Sequence, residues 1–313
     1  MLVLAALVAT DSASSSGDRS TGLRAAPARL RVLVFSKTTG FRHDAIPVAV
    51  AAIRRLGRAH RFSVEQTEDE RRFTDRDLER YDAVIFLSTT GEPLAREGHR
   101  QAFRRYIRRG GGFVGVHAAS DSFARWPWYV GLVGASFRRH APGTSAADVV
   151  LEDRRAPATR GLPRVWRRID EWYAFRSNPR GHVHVLATLD ERTYDPRGAA
   201  MGADHPIAWC HRYAGGRAVY TAMGHTSSSY REPLFVAHLL GAIEMASGHG
   251  AFACPAGQLR GGHGHAQKSS RMARSNSAPV NDGTMIRRSV QRGSAPSSLP
   301  ASWNAAVNLP SRR

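Results

Sequence analysis

A chain of 313 residues that is 42% hydrophobic and 23% charged can bury one large core or two modest ones. Its formal charge of +19 invites a nucleic-acid reading, but the excess is +1 over residues 1–30, +10 over 31–248 and +8 over 249–313. In the middle stretch the arginines are scattered over helix faces, as at Arg54, Arg55, Arg104, Arg105, Arg108 and Arg109, which argues against a specific nucleic-acid partner.

Residues 1–30 begin with MLVLAALVATDSASSSG, where an apolar run from Leu2 to Val8 precedes small and polar residues. This resembles the later part of a secretory signal without its basic n-region, so a truncated signal segment and linker are expected, with secreted and cytoplasmic locations both open. Leu30 to Ser36 reads as a first strand, followed by the polar turn KTTGFRHD and a helix over Pro47 to Gly57. Phe62 to Thr67 reads as a second strand, Thr74 to Arg80 as a short helix capped by Thr74, and Tyr81 to Ser88 as a third strand. Glu97 to Arg109 carries a helical stripe through Ala102, Phe103, Tyr106 and Ile107 before the strand Gly112 to Val116. Strands alternating with helices predict an α/β fold with a mainly parallel sheet and helices on both faces. After Trp126 the pattern changes to strands at Ala147 to Glu152, Val183 to Leu189, Ile207 to Tyr213 and Arg217 to Thr221. The turn Ala214-Gly215-Gly216 makes a hairpin of the last two, hence an antiparallel extension in the second half. Pro233 to Ala246 closes the domain as a helix, and residues 249–313 read as a basic, low-complexity disordered tail. No stretch has the ~18 consecutive apolar residues of a membrane span. Cys210 and Cys254 are too few for a disulfide framework, and Cys210 is expected as a buried free thiol.

The chemistry concentrates where strands end. In GGGFVGVHAASD a glycine-punctuated strand runs into a turn headed by His117, the place where many α/β enzymes carry a nucleophilic Ser or Cys. Here no GxSxG serine or cysteine stands at the bend, and GGGFVG lacks the Lys-Ser/Thr of a P-loop, so triad, thiol-glutaminase and P-loop chemistry are excluded. In a parallel sheet, the segments after the first, third and fourth strands, with His43, Glu92 and His117, converge on one edge. The second half adds Asp170-Glu171-Trp172-Tyr173, Asp204-His205-Pro206 and Gly224-His225. Such a crevice suits a hydroxyl-rich ligand and acid/base work. A divalent metal is open, since several His with carboxylates can hold one, although HExxH and CxxC are absent. His60, His99, His182, His184, His211 and His238 read as structural or exposed.

The succession FSKTTGFRHDAIP, YDAVIFLSTTGE, FRRYIRRGGGFVGVHAASD, WPWYVGLVGASF, DEWYAF, HVLATLD and MGADHPIAWCHRYAGGRAVYTAMGHTSSSY resembles the ThuA-like (trehalose utilisation) family over about residues 31–248. That resemblance implies a class I glutamine amidotransferase-like fold, a flavodoxin-like three-layer sandwich without the glutaminase cysteine. It also implies a carbohydrate-processing enzyme acting on 3-keto glycosides by acid/base cleavage or isomerisation, as a lyase, hydrolase or isomerase without a covalent nucleophile. Carried over by position, His117 and Glu171 are the proton-transfer candidates, and His43, His205, His225, Tyr173 and Asp204 the substrate-binding ones. No cofactor is required by the sequence. Arg138-Arg139-His140-Ala141-Pro142 departs from the pattern that the resemblance leads one to expect, which sets His140 apart. The alternative is a non-catalytic sugar-binding module built on Trp126, Trp128, Trp172 and Tyr173. The expected partner is a small sugar, with self-association into a homo-oligomer left open.

Overall fold

In chain order the first half runs β1 (Arg31–Phe35), α1 (Ile46–Ala59), β2 (Ser63–Thr67), α2 (Asp75–Leu78), β3 (Ala83–Leu87), α3 (Glu97–Arg108) and β4 (Gly112–Val116). The second half runs α4 (Pro127–Val133), β5 (Phe137–His140), β6 (Ser145–Leu151), β7 (Val165–Asp170), β8 (Tyr173–Phe175), β9 (His184–Asp190), β10 (Pro206–Tyr213), β11 (Gly216–Thr221) and α5 (Pro233–Ser247). This computed structural model describes residues 30–249 together with Phe252 and Cys254. The expected signal segment, and all of the expected tail except His249, Phe252 and Cys254, lie outside the described residues.

Strands β3 and β4 are buried along their whole length and β1 nearly so, the pattern of strands covered on both faces. Nine strands form one sheet in the order β2-β1-β3-β4-β11-β10-β9-β6-β7. The strands β2, β1, β3, β4 and β11 pair in parallel, whereas β11, β10, β9, β6 and β7 pair antiparallel. The fold is the expected flavodoxin-like α/β sandwich with its antiparallel extension. Helix α3 buries the expected stripe Ala102, Phe103, Tyr106 and Ile107. Thr74 caps α2 by accepting from the Asp77 N–H at 3.1 Å. Gly112 admits α5: a Cβ there would collide with the Ala246 carbonyl. The β10–β11 hairpin turns through Ala214 and Gly215, both at positive φ (49° and 97°). No helix among the described residues is long and apolar enough to cross a membrane.

One expectation is overturned. Cys210 is not a free thiol but forms a disulfide with Cys254. The segment after α5 returns to β10, where Phe252 lies under the Arg212 guanidinium at 5.2 Å, and this brings the buried Cys254 to Cys210.

A small two-stranded sheet joins β5 to β8, with His140 opposite Tyr173, while the neighbouring β6–β7 ladder begins with Ser145 opposite Asp170. The two ladders therefore form one antiparallel ribbon, interrupted at residues 141–144 on one strand and at Glu171 and Trp172 on the other. That interruption frees Glu171 from the ladder.

Candidate metal centre

His117 follows β4 directly and holds φ at 51°, a left-handed conformation that a residue with a Cβ adopts only under constraint. The constraint is the Tyr220 hydroxyl, which donates to the His117 carbonyl at 2.8 Å. This turn swings the imidazole off the strand and under cover. His117 Nδ1 donates to the Ala222 carbonyl at 2.7 Å, which fixes the tautomer and leaves Nε2 with a free lone pair.

His43 comes from the loop between β1 and α1. Thr90 Oγ1 donates to the Phe41 carbonyl (2.8 Å) and accepts from the Gly40 N–H (3.2 Å), and Ile46 N–H returns to the His43 carbonyl (3.2 Å). His225 follows Gly224, whose φ of 109° suits glycine alone. The backbone N–H groups of Gly224 and His225 donate to the Asp170 carboxylate at 2.8 and 3.0 Å. Asp170 also accepts the N–H of Glu171 at 3.0 Å, so one buried carboxylate sets two members of the site.

These connections bring His43, His117, Glu171 and His225 together with one ligand atom from each within 4.8 Å of all the others. His117 Nε2 lies 3.1 Å from His225 Nδ1 and 3.4 Å from Glu171 Oε2, and His225 Nδ1 lies 3.1 Å from the same oxygen. A tetrahedron with metal–ligand bonds of 2.0–2.1 Å has ligand–ligand edges of about 3.3 Å, so this triangle has the dimensions of a coordination face. The His43 ring completes the group, edge-on to His117 at 4.8 Å and to His225 at 5.1 Å, and its buried Nδ1 has no hydrogen-bond partner. Three imidazoles and one carboxylate suit zinc or a similar borderline divalent ion, and the residues fit such an ion.

The electrostatics of His43 and Glu171 agree. Burial first, then the neighbouring His117 and His225, lowers the His43 pKa to about 3, so this imidazole is neutral, as a ligand must be. Burial opposes ionisation of Glu171, but the neighbouring His117 and His225 outweigh it and hold the carboxyl well below the usual range. The hydrogen bond to Glu171 raises the His225 pKa against the opposing effect of burial.

His140, set apart by sequence, belongs here: its Nδ1 lies 3.1 Å from Glu171 Oε1, the oxygen turned away from the triangle, and its side chain is 35% exposed. Its place opposite Tyr173 in the β5–β8 pair puts it there. Tyr173 packs its ring against His117 with centroids 4.3 Å apart. Asp121, at the end of the turn that His117 begins, has its pKa raised by burial, with Arg176, His117 and His140 pulling the other way.

His205 and Asp204 are not brought to this group. The His205 nitrogens are taken by Glu191 Oε1 (2.7 Å) and the Tyr173 carbonyl (2.8 Å), tying β10 to its neighbours. Asp204 binds Arg180 and Asn178 in a half-exposed network. Glu92 turns away to Arg100 at 2.8 Å. His182, His184, His211 and His238 each hydrogen-bond a nearby carbonyl or carboxylate.

The sequence profile of the ThuA family, described as trehalose utilisation, matches residues 31–246, which takes in every member of the cluster. The chain belongs to the ThuA family. In fold it is similar to a ThuA-like protein from Bacteroides uniformis, at 24% identity and a TM-score of 0.60, covering 70% of this chain and 92% of that one. It is likewise similar to a ThuA-like protein from Parabacteroides merdae, at 21% identity and a TM-score of 0.56, covering 70% and 90%. Among curated proteins none matches the chain in sequence. Membership in the ThuA family agrees with a carbohydrate-related role.

Proposed function

We propose that the protein is a carbohydrate-processing enzyme that acts on oxidised, 3-keto glycosides by acid/base chemistry at the His43–His117–Glu171–His225 cluster. The observation that carries this reading is the convergence of three imidazoles and a carboxylate within 4.8 Å, where related α/β architectures hold a covalent nucleophile. His43, His117, His225 and Glu171 Oε2 would hold a divalent cation, whose contribution is to polarise a bound carbonyl. Glu171 Oε1 and His140 then remain as the proton-carrying pair, because His140 Nδ1, which donates to the Ala141 carbonyl at 2.7 Å, also lies 3.1 Å from Glu171 Oε1, and its ring reaches solvent. His117, a proton-transfer candidate in the sequence, takes a holding role here, since its Nε2 faces the cluster and its Nδ1 is bound to Ala222.

A ketone at C3 acidifies the C2 proton. Removal of that proton by a base forms the C1–C2 double bond as the C1–oxygen bond breaks, and the departing oxygen takes a proton from an acid. No covalent sugar–protein bond is needed. The sugar-binding module finds less support, because Trp172 and Tyr173 are buried and Trp126 and Trp128 pack against the core. The deciding experiment incubates the full chain with 3-keto-trehalose, with and without a chelator, and follows the products. Cleavage or isomerisation that stops with chelator and returns with zinc is expected; unchanged substrate in the metal-loaded protein defeats the proposal.

A further inference from the structure

We infer that Phe41 is a sugar platform, an aromatic wall that stacks against the apolar face of a pyranose ring while the ring's oxygens reach the His/Glu cluster. This rests on the carbohydrate reading above and adds the contact that would select a closed ring. Three large hydrophobic side chains are exposed among the described residues, Phe41, Val165 and Ile169, and Phe41 is the most exposed at 68%. Val165 and Ile169 sit on the edge strand β7. Phe41 alone adjoins the cluster, its ring edge-to-face on His43 with centroids 4.9 Å apart at 85°.

A mobile tip would explain an exposed phenyl ring, but this loop is clamped. Thr39 N–H donates to the Thr90 carbonyl at 3.1 Å, Thr90 Oγ1 holds the loop at Gly40 and Phe41, and Glu92 N–H donates to Thr39 Oγ1 at 2.7 Å. The protein thus holds an apolar face fixed in water beside its most polar group. A ligand that matches both must be apolar on one face and oxygen-rich at its edge. A pyranose ring is built that way: its axial C–H groups present weakly positive hydrogens to the negative π face, and its hydroxyls point outward. One loop therefore supplies both a buried cluster member and an apolar wall, in His43 and Phe41.

The test measures binding of trehalose and of open-chain glucitol to the zinc-loaded full chain by calorimetry, for the natural protein, Phe41→Ala and Phe41→Trp. The expected result is a dissociation constant for trehalose raised about tenfold or more in Phe41→Ala, near-natural affinity in Phe41→Trp, unchanged glucitol binding and unchanged zinc content. Trehalose bound equally well by Phe41→Ala, or glucitol weakened as much as trehalose, overturns the platform and leaves the carbohydrate reading standing. A natural protein that takes zinc but binds neither trehalose nor glucitol also overturns the platform, whereas the carbohydrate reading falls only if 3-keto-trehalose is left unchanged.

Discussion

At the scale of single residues, His43 gives the site a pH signature. Burial and its neighbours lower its pKa to about 3, whereas in the unfolded chain it titrates near 6.5. Between those values the unfolded chain binds a proton that the folded chain refuses, so stability is complete above about pH 6.5 and falls as the pH drops toward 3. With metal removed, His43→Gln should lose that part of the slope in urea unfolding followed from pH 7 to pH 4; an identical slope in the variant would remove His43 as its source. Asp170 carries a second prediction. It pairs with the buried Arg168 at 3.0 Å while accepting from the backbone of Glu171, Gly224 and His225. Asp170→Ala leaves three backbone N–H groups unsatisfied and the buried Arg168 guanidinium with Glu232 as its remaining carboxylate partner, at a cost of about 3 kcal/mol. In the milder Asp170→Asn, zinc affinity should fall about 10–100-fold, and a folded Asn variant with natural affinity would show that Asp170 does not position the site.

At the scale of elements, the broken ribbon of β5–β8 and β6–β7 would, on the proposed function, separate holding residues from a proton-carrying one. His140 arrives on β5, touches the outer oxygen of Glu171 and is not among the clustered ligands. His140→Ala should therefore keep its zinc while losing about 100-fold in turnover; loss of the metal together with activity would make it a ligand instead. This ribbon is also where the sequence was hardest to read. The parallel half announces itself because apolar β-branched runs alternate with helices, so β1, β3 and β4 and the polar ends carrying His43 and His117 are legible from spacing alone. Strand β7 hides, because its inward positions in Val165–Asp170 hold Arg168 and Asp170 beside Trp166, and two charges at core positions erase the period of two. Strands β5 and β8, only four and three residues long, carry too little pattern to register. The sequence sets His140 apart because Arg138–Pro142 departs from the family pattern, and it includes His205 by position in that pattern, where a His-Pro pair at a strand start looks the same whether its ring faces a ligand or, as here, Glu191 and the Tyr173 carbonyl. Side-chain direction at a strand end is a tertiary property.

At the scale of the whole molecule, the disulfide and a metal held at the cluster would act on the folding equilibrium from opposite ends. The Cys210–Cys254 disulfide closes 44 residues of chain and ties the segment after α5 to β10. By chain entropy, closing a loop of that length restrains the unfolded state by about 4 kcal/mol. A divalent ion held at the His/Glu cluster would instead bind the folded state alone, adding about 2.7 kcal/mol at a free concentration one hundred times its dissociation constant. Because one increment belongs to the unfolded chain and the other to the folded one, they should add. Four samples in a thermal melt decide this: oxidised and Cys254→Ser protein, each with zinc and with chelator. The upshift on adding zinc should be the same in both backgrounds within error, and the disulfide step should persist in chelator. A zinc shift that vanishes in Cys254→Ser would mean that the cluster forms only when the segment after α5 is fastened down, so that Asp170 and the Tyr220–His117 hydrogen bond do not suffice to assemble it.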